Sequence, residues 1–357
     1  MSDDPQRQRP WIVIVGGFLG SGKTNLILSA ARLLEKRGLR CAVILNDQGE
    51  ELVDTSLAAA QRIFSREVTG GCFCCRFSAL LEVIDEVCAA RQLDVIFAEP
   101  VGSCTDLSAT VLGPLREESH RYCVAPFTVL VDPARAAELS NLAGDSDMAF
   151  LFRKQLQEAD LICNTKADLY PEKSWMHDVK CRRLCAKTGE GVSEWLDEVL
   201  FGSLEAGKTT LDIDYARYAQ AEAALAWLNL SFVLSPATPV PPATAVGPLL
   251  DDFDRALTTA AIQIVHLKIF DSSPTGWLKA AICSNGEEPA VEGALDASPA
   301  ARHEVLINLR AKGDPAQVQT VVENQLRRLK ARISNMRLDC FSPAAPKPER
   351  RIAKNSF

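Results

Sequence analysis

Eight residues near the start leave this chain little choice of architecture: Gly17-Phe18-Leu19-Gly20-Ser21-Gly22-Lys23-Thr24. They read G-x-x-x-x-G-K-[ST], the signature of a phosphate-binding loop. Trp11-Ile12-Val13-Ile14-Val15 precedes them, an apolar β-branched run suited to a buried parallel strand. Asn25 to Leu34 follows with helical composition, and Gly38 offers a stop. Glycines between strand and helix let backbone N–H groups curl around phosphate oxygens without Cβ clashes. The helix N-terminus adds a favourable dipole. The candidate phosphate-binding residues are Gly17, Gly20, Ser21, Gly22, Lys23, Thr24 and Asn25. In such a loop the lysine, here Lys23, reaches the β- and γ-phosphates, and the hydroxyl, here Thr24, ligates Mg²⁺.

From Trp11 to about Leu200 strand-like runs alternate with helix-like segments. The strand-like runs are 11–15, 40–45, 62–68, 94–98, 127–131 and 160–164. This pattern predicts an α/β fold with a mostly parallel sheet covered on both faces. Ligands of such sheets sit at the carboxyl ends of the strands. At 357 residues the chain is long enough for a second domain. Its net charge of −7 argues against a general nucleic-acid binder, which needs a basic face. No stretch is apolar for about 18 residues, so no membrane span is expected. Met1 to Pro10 is polar and lacks a signal-peptide core, and a cytoplasmic protein is expected. Stable disulfides are rare in that compartment, yet the chain carries twelve cysteines. Cys41, Cys88, Cys123 and Cys163 lie inside apolar runs and read as small buried hydrophobes.

Three strand ends carry polar motifs. Arg40 to Leu45 ends in Asn46-Asp47-Gln48-Gly49-Glu50, with Asp54 shortly after. Two readings stand, a mobile loop facing the phosphates and a solvated acidic loop. Asp47 and Asp54 are the candidates for orienting an attacking water. Asp94 to Ala98 ends in Glu99-Pro100-Val101-Gly102. A carboxylate at this tip, Glu99, is placed to hold Mg²⁺, and Gly102 could offer its N–H to the γ-phosphate and release it on hydrolysis. The alternative is a plain strand-end turn. Leu161-Ile162-Cys163 leads into Asn164-Thr165-Lys166-Ala167-Asp168, which contains [NT]-K-x-D, a guanine-reading motif. The carboxylate of Asp168 can accept from guanine N1–H and the 2-amino group together, a donor pair adenine lacks. The stem of Lys166 can cover the base face. Cys185-Ala186-Lys187 matches an S-A-K loop in which the Ala186 N–H would touch guanine O6, with Cys185 in place of the usual serine.

Gly70-Gly71-Cys72-Phe73-Cys74-Cys75 places three thiols within four residues, after glycines that permit a tight turn. Thiolates bind soft or borderline cations such as Zn²⁺ or Cu⁺. A regular strand would point Cys75 away from Cys72 and Cys74, so a three-thiolate site requires a loop. Three ligands leave a fourth position open, which suits transfer. Buried or redox-active thiols are the even alternative, since Cys72 and Cys75 also form a C-x-x-C pair.

The loop Gly17–Thr24, Gly71-Cys72-Phe73-Cys74-Cys75, Glu99-Pro100-Val101-Gly102 and Thr165-Lys166-Ala167-Asp168 together resemble the CobW family. These are metallochaperone GTPases related to the hydrogenase and urease nickel-insertion GTPases. The resemblance implies GTP hydrolysis with Mg²⁺, transition-metal binding (Zn²⁺ or Co²⁺) at Cys72, Cys74 and Cys75, and delivery of metal or metallocofactor to a client metalloprotein. A GTP-dependent homodimer belongs to the same expectation. The chain departs from the family pattern in three places. Asn46-Asp47-Gln48-Gly49 stands for N-E-F-G, Thr165 for the commoner Asn, and Val101-Gly102 for S-G or T-G. Cys104 has two readings, a neighbour of this switch and, as the better bet, a small core residue. Two other readings are carried: an activator of a corrinoid-dependent enzyme, and a metal- or redox-sensing binding protein with nucleotide as structural ligand.

Asp212 to Asn229 reads as a helix, with Tyr215, Tyr218, Glu222 and Leu225 at helical spacing. Pro236 to Pro242 reads as a stiff linker. Ile262–Phe270, Trp277–Cys283 and Glu304–Arg310 read as strands, and Gln317–Ile333 as a closing helix. His266 and His303 fall on such strands and read as satisfied structural histidines. The expected layout is a flexible 1–10, a P-loop GTPase domain 11–204, a helix and linker 205–249, a smaller C-terminal α+β domain 250–335, and a disordered tail 336–357.

Overall fold

A computed structural model describes residues 9–49, 52–141, 146–170 and 181–353. The expectations for the first residues, for Glu50 and for the last four residues lie outside that set. The elements, in chain order, begin with β1 (Trp11–Gly17), α1 (Lys23–Lys36), β2 (Cys41–Asn46), α2 (Val53–Ala60), β3 (Ser65–Val68), α3 (Phe77–Ala90) and β4 (Val95–Glu99). A π-helical turn Ser108–Leu112 runs into α4 (Gly113–Glu117). Then come β5 (Cys123–Val124), β6 (Thr128–Val131), α5 (Pro133–Asn141), α6 (Asp147–Glu158), β7 (Leu161–Asn164), β8 (Cys181–Arg183), α7 (Val192–Phe201) and α8 (Tyr215–Ala223). The chain continues with β9 (Leu225–Pro236), α9 (Pro242–Thr259), β10 (Gln263–Ser273), β11 (Gly276–Ile282), β12 (Ala290–Gly293), β13 (His303–Lys312), α10 (Pro315–Leu326) and β14 (Ala331–Phe341).

Two compact units result, one of residues 1–48, 62–218 and 346–357, the other of 49–61 and 219–345. In the first, eight strands pair in the order β3-β2-β4-β1-β6-β7-β8, with β5 also on β1. The pairings are parallel. The apolar runs explain this. Ile12–Val15, Ala42–Ile44 and Ile96–Ala98 are fully buried, as central parallel strands covered on both faces must be. Helix α1 buries Leu26, Ile27, Ala30, Ala31 and Leu34, one stripe of a 3.6-residue period. It stops at Gly38, whose φ of 82° puts it in the left-handed region. The carboxyl ends of β1, β2, β3, β4, β7 and β8 lead into the polar motifs.

The second unit is a six-stranded sheet, β12-β11-β10-β13-β9-β14, antiparallel throughout. Its core packs Leu228, Leu230, Phe232 and Leu234 of β9 with Leu249, Leu250 and Phe253 of α9 and Val318 and Val322 of α10. Three expectations are corrected here. The helix read over 212–229 ends at Ala223, and Leu225 onward is a strand. The alternation of Leu228, Leu230, Phe232 and Leu234 has a period of two, and it outweighs the helical composition before it. The helix read over 317–333 ends at Leu326, and 331–341 pairs with β9 as an edge strand. The proline-rich stretch is short, because Pro242 opens helix α9, where a missing N–H costs nothing.

The tail is also ordered further than its composition suggests. Residues 346–353 belong to the first unit, where the Glu349 N–H donates to the Cys74 carbonyl (3.0 Å) and the Ile352 N–H to the Ala109 carbonyl (3.0 Å). Polar and proline-rich sequence predicts poor self-packing but not docking onto a folded partner surface. The histidine reading matches the geometry of His303. Its Nδ1 lies 2.7 Å from Asp271 Oδ2 and its Nε2 3.1 Å from the Ala300 carbonyl, fully buried.

Candidate functional site

The loop after β1 is built around close backbone approaches. Gly17 has φ 136°, and a Cβ there would meet the Leu130 carbonyl oxygen at 2.6 Å and Ser21 Oγ at 2.7 Å. Gly20 and Gly22 complete the turn, and Gly22 sits at the N-cap of α1. Asn25 lies exposed in the first turn of α1. Lys23 Nζ donates to the Gly17 carbonyl (3.0 Å) and stands 3.9 Å from Glu99 Oε1. The Thr24 hydroxyl donates to Glu99 Oε1 at 3.1 Å. Lys23, Thr24 and Glu99 are at most 7% exposed. Ser21 Oγ is buried without a hydrogen-bond partner among the described residues. A buried hydroxyl left unpaired is rare in a finished core and suits a ligand oxygen. Beyond β4, a Cβ on Gly102 would meet Leu19 Cδ2 at 2.9 Å and Lys23 Nζ at 3.0 Å. Glycine is what lets this loop lie against the lysine. The donor set here, a buried lysine, a hydroxyl and a carboxylate around glycine backbone, fits a magnesium-bound nucleotide phosphate.

The base-reading candidates gather beside this loop. The Thr165 hydroxyl donates to the Ser21 carbonyl (2.9 Å), tying the β7 end to the phosphate loop. Lys166 has φ 56° and its Nζ donates to Asp132 Oδ2 at 2.6 Å. That bond holds the lysine stem in place. Asp168 is exposed, and Cys185 Sγ donates to its Oδ1 at 3.2 Å. The thiol thus fixes one oxygen of the carboxylate. Ala186, next in the loop, is half-buried.

The two acidic candidates after β2 part company. The Asp47 N–H donates to the Val68 carbonyl at 3.4 Å, within the first unit. Asp54 belongs to the second, where Lys268 Nζ lies 2.5 Å from its Oδ2 and the Val53 N–H donates to Asn308 Oδ1 (2.9 Å). The two candidates thus fall in different units of the chain. The Asp54 carboxylate already has an ammonium partner with both side chains about 15% exposed or less.

Cys72, Cys74 and Cys75 do form a loop. Their sulfurs lie within 4.8 Å of one another, with Cys72 to Cys74 at 2.8 Å and Cys74 to Cys75 at 3.6 Å. Asn46, at the end of β2, pins this loop. Its Nδ2 donates to the Val68 and Gly71 carbonyls (2.8 Å each) and its Oδ1 accepts from the Phe73 N–H (2.9 Å). The Lys347 N–H donates to Cys75 Sγ at 3.1 Å.

Cys104 is buried at 1% exposed, as expected of a small core residue, and its thiol is a hydrogen-bond partner of Cys72 and Cys74. Hydrogen bonds from Cys104 and then Cys74 hold Cys72 well below the usual thiol range. Hydrogen bonds with Cys104 and then Cys72 push Cys74 up, and Cys72 chiefly pushes Cys75 up to about 11.

Sequence reasoning missed Asn46 as the anchor, and Gln155 and Glu158 of α6. Gln155 Nε2 donates to the carbonyls of Gly102 (3.0 Å) and Cys104 (2.8 Å). Glu158 accepts from the Thr105 hydroxyl (3.1 Å) and the Ser108 N–H (2.9 Å). A buried Gln and Glu on the apolar face of α6 were the available signal, since buried polar groups need partners.

The model of the CobW/HypB/UreG nucleotide-binding domain matches residues 11–189. The chain is 31% identical over 179 residues to the zinc chaperone YjiA of Escherichia coli, covering 47% of this chain and 52% of that protein. It is 32% identical over 186 residues to the zinc chaperone CobW of Pseudomonas aeruginosa, covering 44% and 48%. With the urease accessory protein UreG of Ureaplasma parvum it shares 31% identity over 174 residues, 46% of this chain and 75% of that one. The chain thus spans about half the length of the two zinc chaperones.

Proposed function

We propose that this chain, which belongs to the CobW/HypB/UreG family of nucleotide-binding proteins, hydrolyses GTP and uses the cycle to pass a thiolate-bound transition metal to a client protein. The observation that carries the reading is the group of clustered sulfurs at Cys72, Cys74 and Cys75 in the same unit as the phosphate loop. The names of the relatives, zinc chaperones and a urease accessory protein, support metal cargo.

In this reading the backbone from Gly17 to Gly22 cradles the phosphates and Lys23 offsets charge on the β- and γ-oxygens. Thr24 and Glu99, already hydrogen-bonded to each other, hold Mg²⁺. Gly102 gives its N–H to the γ-phosphate. Thr165, Lys166, Asp168 and Ala186 read guanine, with Asp168 aimed by Cys185. Water attacks the γ-phosphorus, the bond to the β-bridging oxygen breaks, and GDP leaves with inorganic phosphate. Asp47 takes the role of orienting that water, because Asp54 is engaged by Lys268. Loss of the γ-phosphate frees the Glu99–Gly102 loop. The cargo is Zn²⁺ or Co²⁺, and a GTP-dependent homodimer belongs to the same proposal.

A titration with Co²⁺ tests the reading. Wild type should bind cobalt stoichiometrically with a thiolate charge-transfer band, and Cys72→Ser/Cys74→Ser/Cys75→Ser should lose both. Cobalt binding that survives unchanged in the triple variant would sink it. The 2.8 Å approach of Cys72 and Cys74 favours one rival, redox sensing by a disulfide. Its mark would be a two-electron oxidation that alters nucleotide affinity in protein that binds no metal.

A further inference from the structure

Helix α6 touches both loops of the nucleotide site along one side. Residues three apart on a helix are neighbours, and Phe152, Gln155 and Glu158 follow that spacing. The Phe152 ring meets Phe18 of the phosphate loop edge-on, with ring centroids 6.4 Å apart. Gln155 Nε2 donates to the carbonyls of Gly102 (3.0 Å) and Cys104 (2.8 Å). Glu158 accepts from the Thr105 hydroxyl and the Ser108 N–H. All three residues are at most 3% exposed, and every one of these contacts lies within the first unit.

Gln155 grips the turn at the point that faces the lysine. A Cβ on Gly102 would meet Lys23 Nζ at 3.0 Å, so the backbone there lies directly against the ammonium. Both partners of Gln155 are carbonyls, so the amide nitrogen faces them, and its two hydrogens serve one each. The Cys104 N–H closes the turn on the Val101 carbonyl at 3.0 Å. The carbonyls of Val101, Gly102 and Cys104 are thereby all engaged. Without the amide, two buried carbonyls lose their donor, and only a movement of the turn can bring them to water.

We propose that Gln155 is a positioning residue for the γ-phosphate: by latching the Val101–Cys104 turn, it keeps the Gly102 N–H where a third phosphate can accept from it, and so sets the preference for GTP over GDP. The inference rests on the GTPase reading. The turn has two states, latched on Gln155 and released. A nucleotide with a γ-phosphate binds the latched state better, whereas GDP makes no contact with Gly102 and favours neither. Removing the amide lowers the latched fraction, and the apparent affinity for GTP falls with that fraction. Affinity for GDP stays where it was.

Titration of the full chain with GDP and with a non-hydrolysable GTP analogue, both with Mg²⁺, tests this. Gln155→Met keeps the length of the side chain and removes the donor. Its affinity for the analogue should fall about tenfold or more, as stranding two buried carbonyls implies, while its affinity for GDP stays that of wild type. Gln155→Glu removes the same donor at nearly equal volume and should behave alike, which covers a Met variant that does not fold. Hydrogen exchange over 101–108 should slow in wild type when the analogue replaces GDP, and should not do so in either variant. Parallel loss of both nucleotides would make Gln155 a packing residue and overturn the inference. Unchanged analogue affinity, or an exchange difference that persists in the variants, overturns it equally. Wild type that binds neither guanine nucleotide overturns the GTPase reading itself, a result obtained before any variant is made.

Discussion

Lys23 and Asp168 carry the clearest chemistry of any single residues. Lys23 is buried with its ammonium on the Gly17 carbonyl, poised where phosphate oxygens would arrive. Lys23→Ala should remove GTP hydrolysis and leave the fold intact by circular dichroism; normal turnover would exclude the loop as the reaction centre. Asp168 accepts from Cys185 on one oxygen. Charged acceptors to two donors make strong, geometry-bound contacts. Asp168→Asn should lose about 1.5–3 kcal/mol of GTP binding, roughly tenfold to more than a hundredfold. It should gain preference for xanthosine triphosphate, whose 2-carbonyl can accept from the new amide. Competition binding of the two nucleotides checks this, and retained GTP preference would remove Asp168 from base reading.

At the scale of elements, the cysteine loop and helix α6 each depend on one buried polar group. Asn46 makes three hydrogen bonds to the segment 68–73. Asn46→Ala leaves two carbonyls and an N–H to find other partners, at about 1–3 kcal/mol for each that fails. The expected loss is about 2–4 kcal/mol in urea unfolding, with weaker Co²⁺ binding, although no thiol has changed. On α6, burial pushes the Glu158 carboxyl up to about 8 from an ordinary 4.5, against the hydrogen bonds from Ser108 and Thr105. Between those pH values the folded state keeps a proton that the unfolded chain gives up. Stability from this group therefore falls as pH rises from about 4.5 to about 8, and levels off above. Glu158→Gln should flatten the pH dependence across that window, read by urea melts at three pH values. An unchanged slope would mean that Glu158 is ionised in the folded protein.

At the scale of the whole molecule, distant parts of the chain complete local structures. Arg351 donates to both oxygens of Asp106 (2.8 and 3.5 Å), and Glu349 Oε2 accepts from the Ser78 N–H (2.7 Å). The 346–353 segment thereby lies over the thiol loop and the turn after it. Removing 346–357 should lower the melting temperature by about 5–10 °C, as a loss of some 2–3 kcal/mol does at this size. Alkylation of Cys75 should accelerate, since its sulfur loses the Lys347 N–H. Unchanged stability and alkylation rate would show that the strap does not hold in solution. In the second unit, Lys268 and Asp54 form a pair that is largely removed from water. Breaking such a pair costs about 3–5 kcal/mol, so residues 49–61 are bound firmly to the second sheet.

What was legible in the sequence is contiguous. The phosphate loop, the Glu99 tip, the Thr165–Asp168 motif and the three clustered cysteines each lie within a few residues. The strand and helix around them follow from periodicity alone. The parallel sheet followed for the same reason, since its strands are unbroken apolar runs. The strand at 225–236 and the edge strand at 331–341 were masked by helix-like composition, and only pairing decided them. The remaining decisions join residues far apart in the chain: Cys104 to Cys72, Asn46 to Phe73, Asp54 to Lys268, Arg351 to Asp106. No local period encodes such meetings. They arise because buried polar groups must find partners wherever the packed chain supplies them.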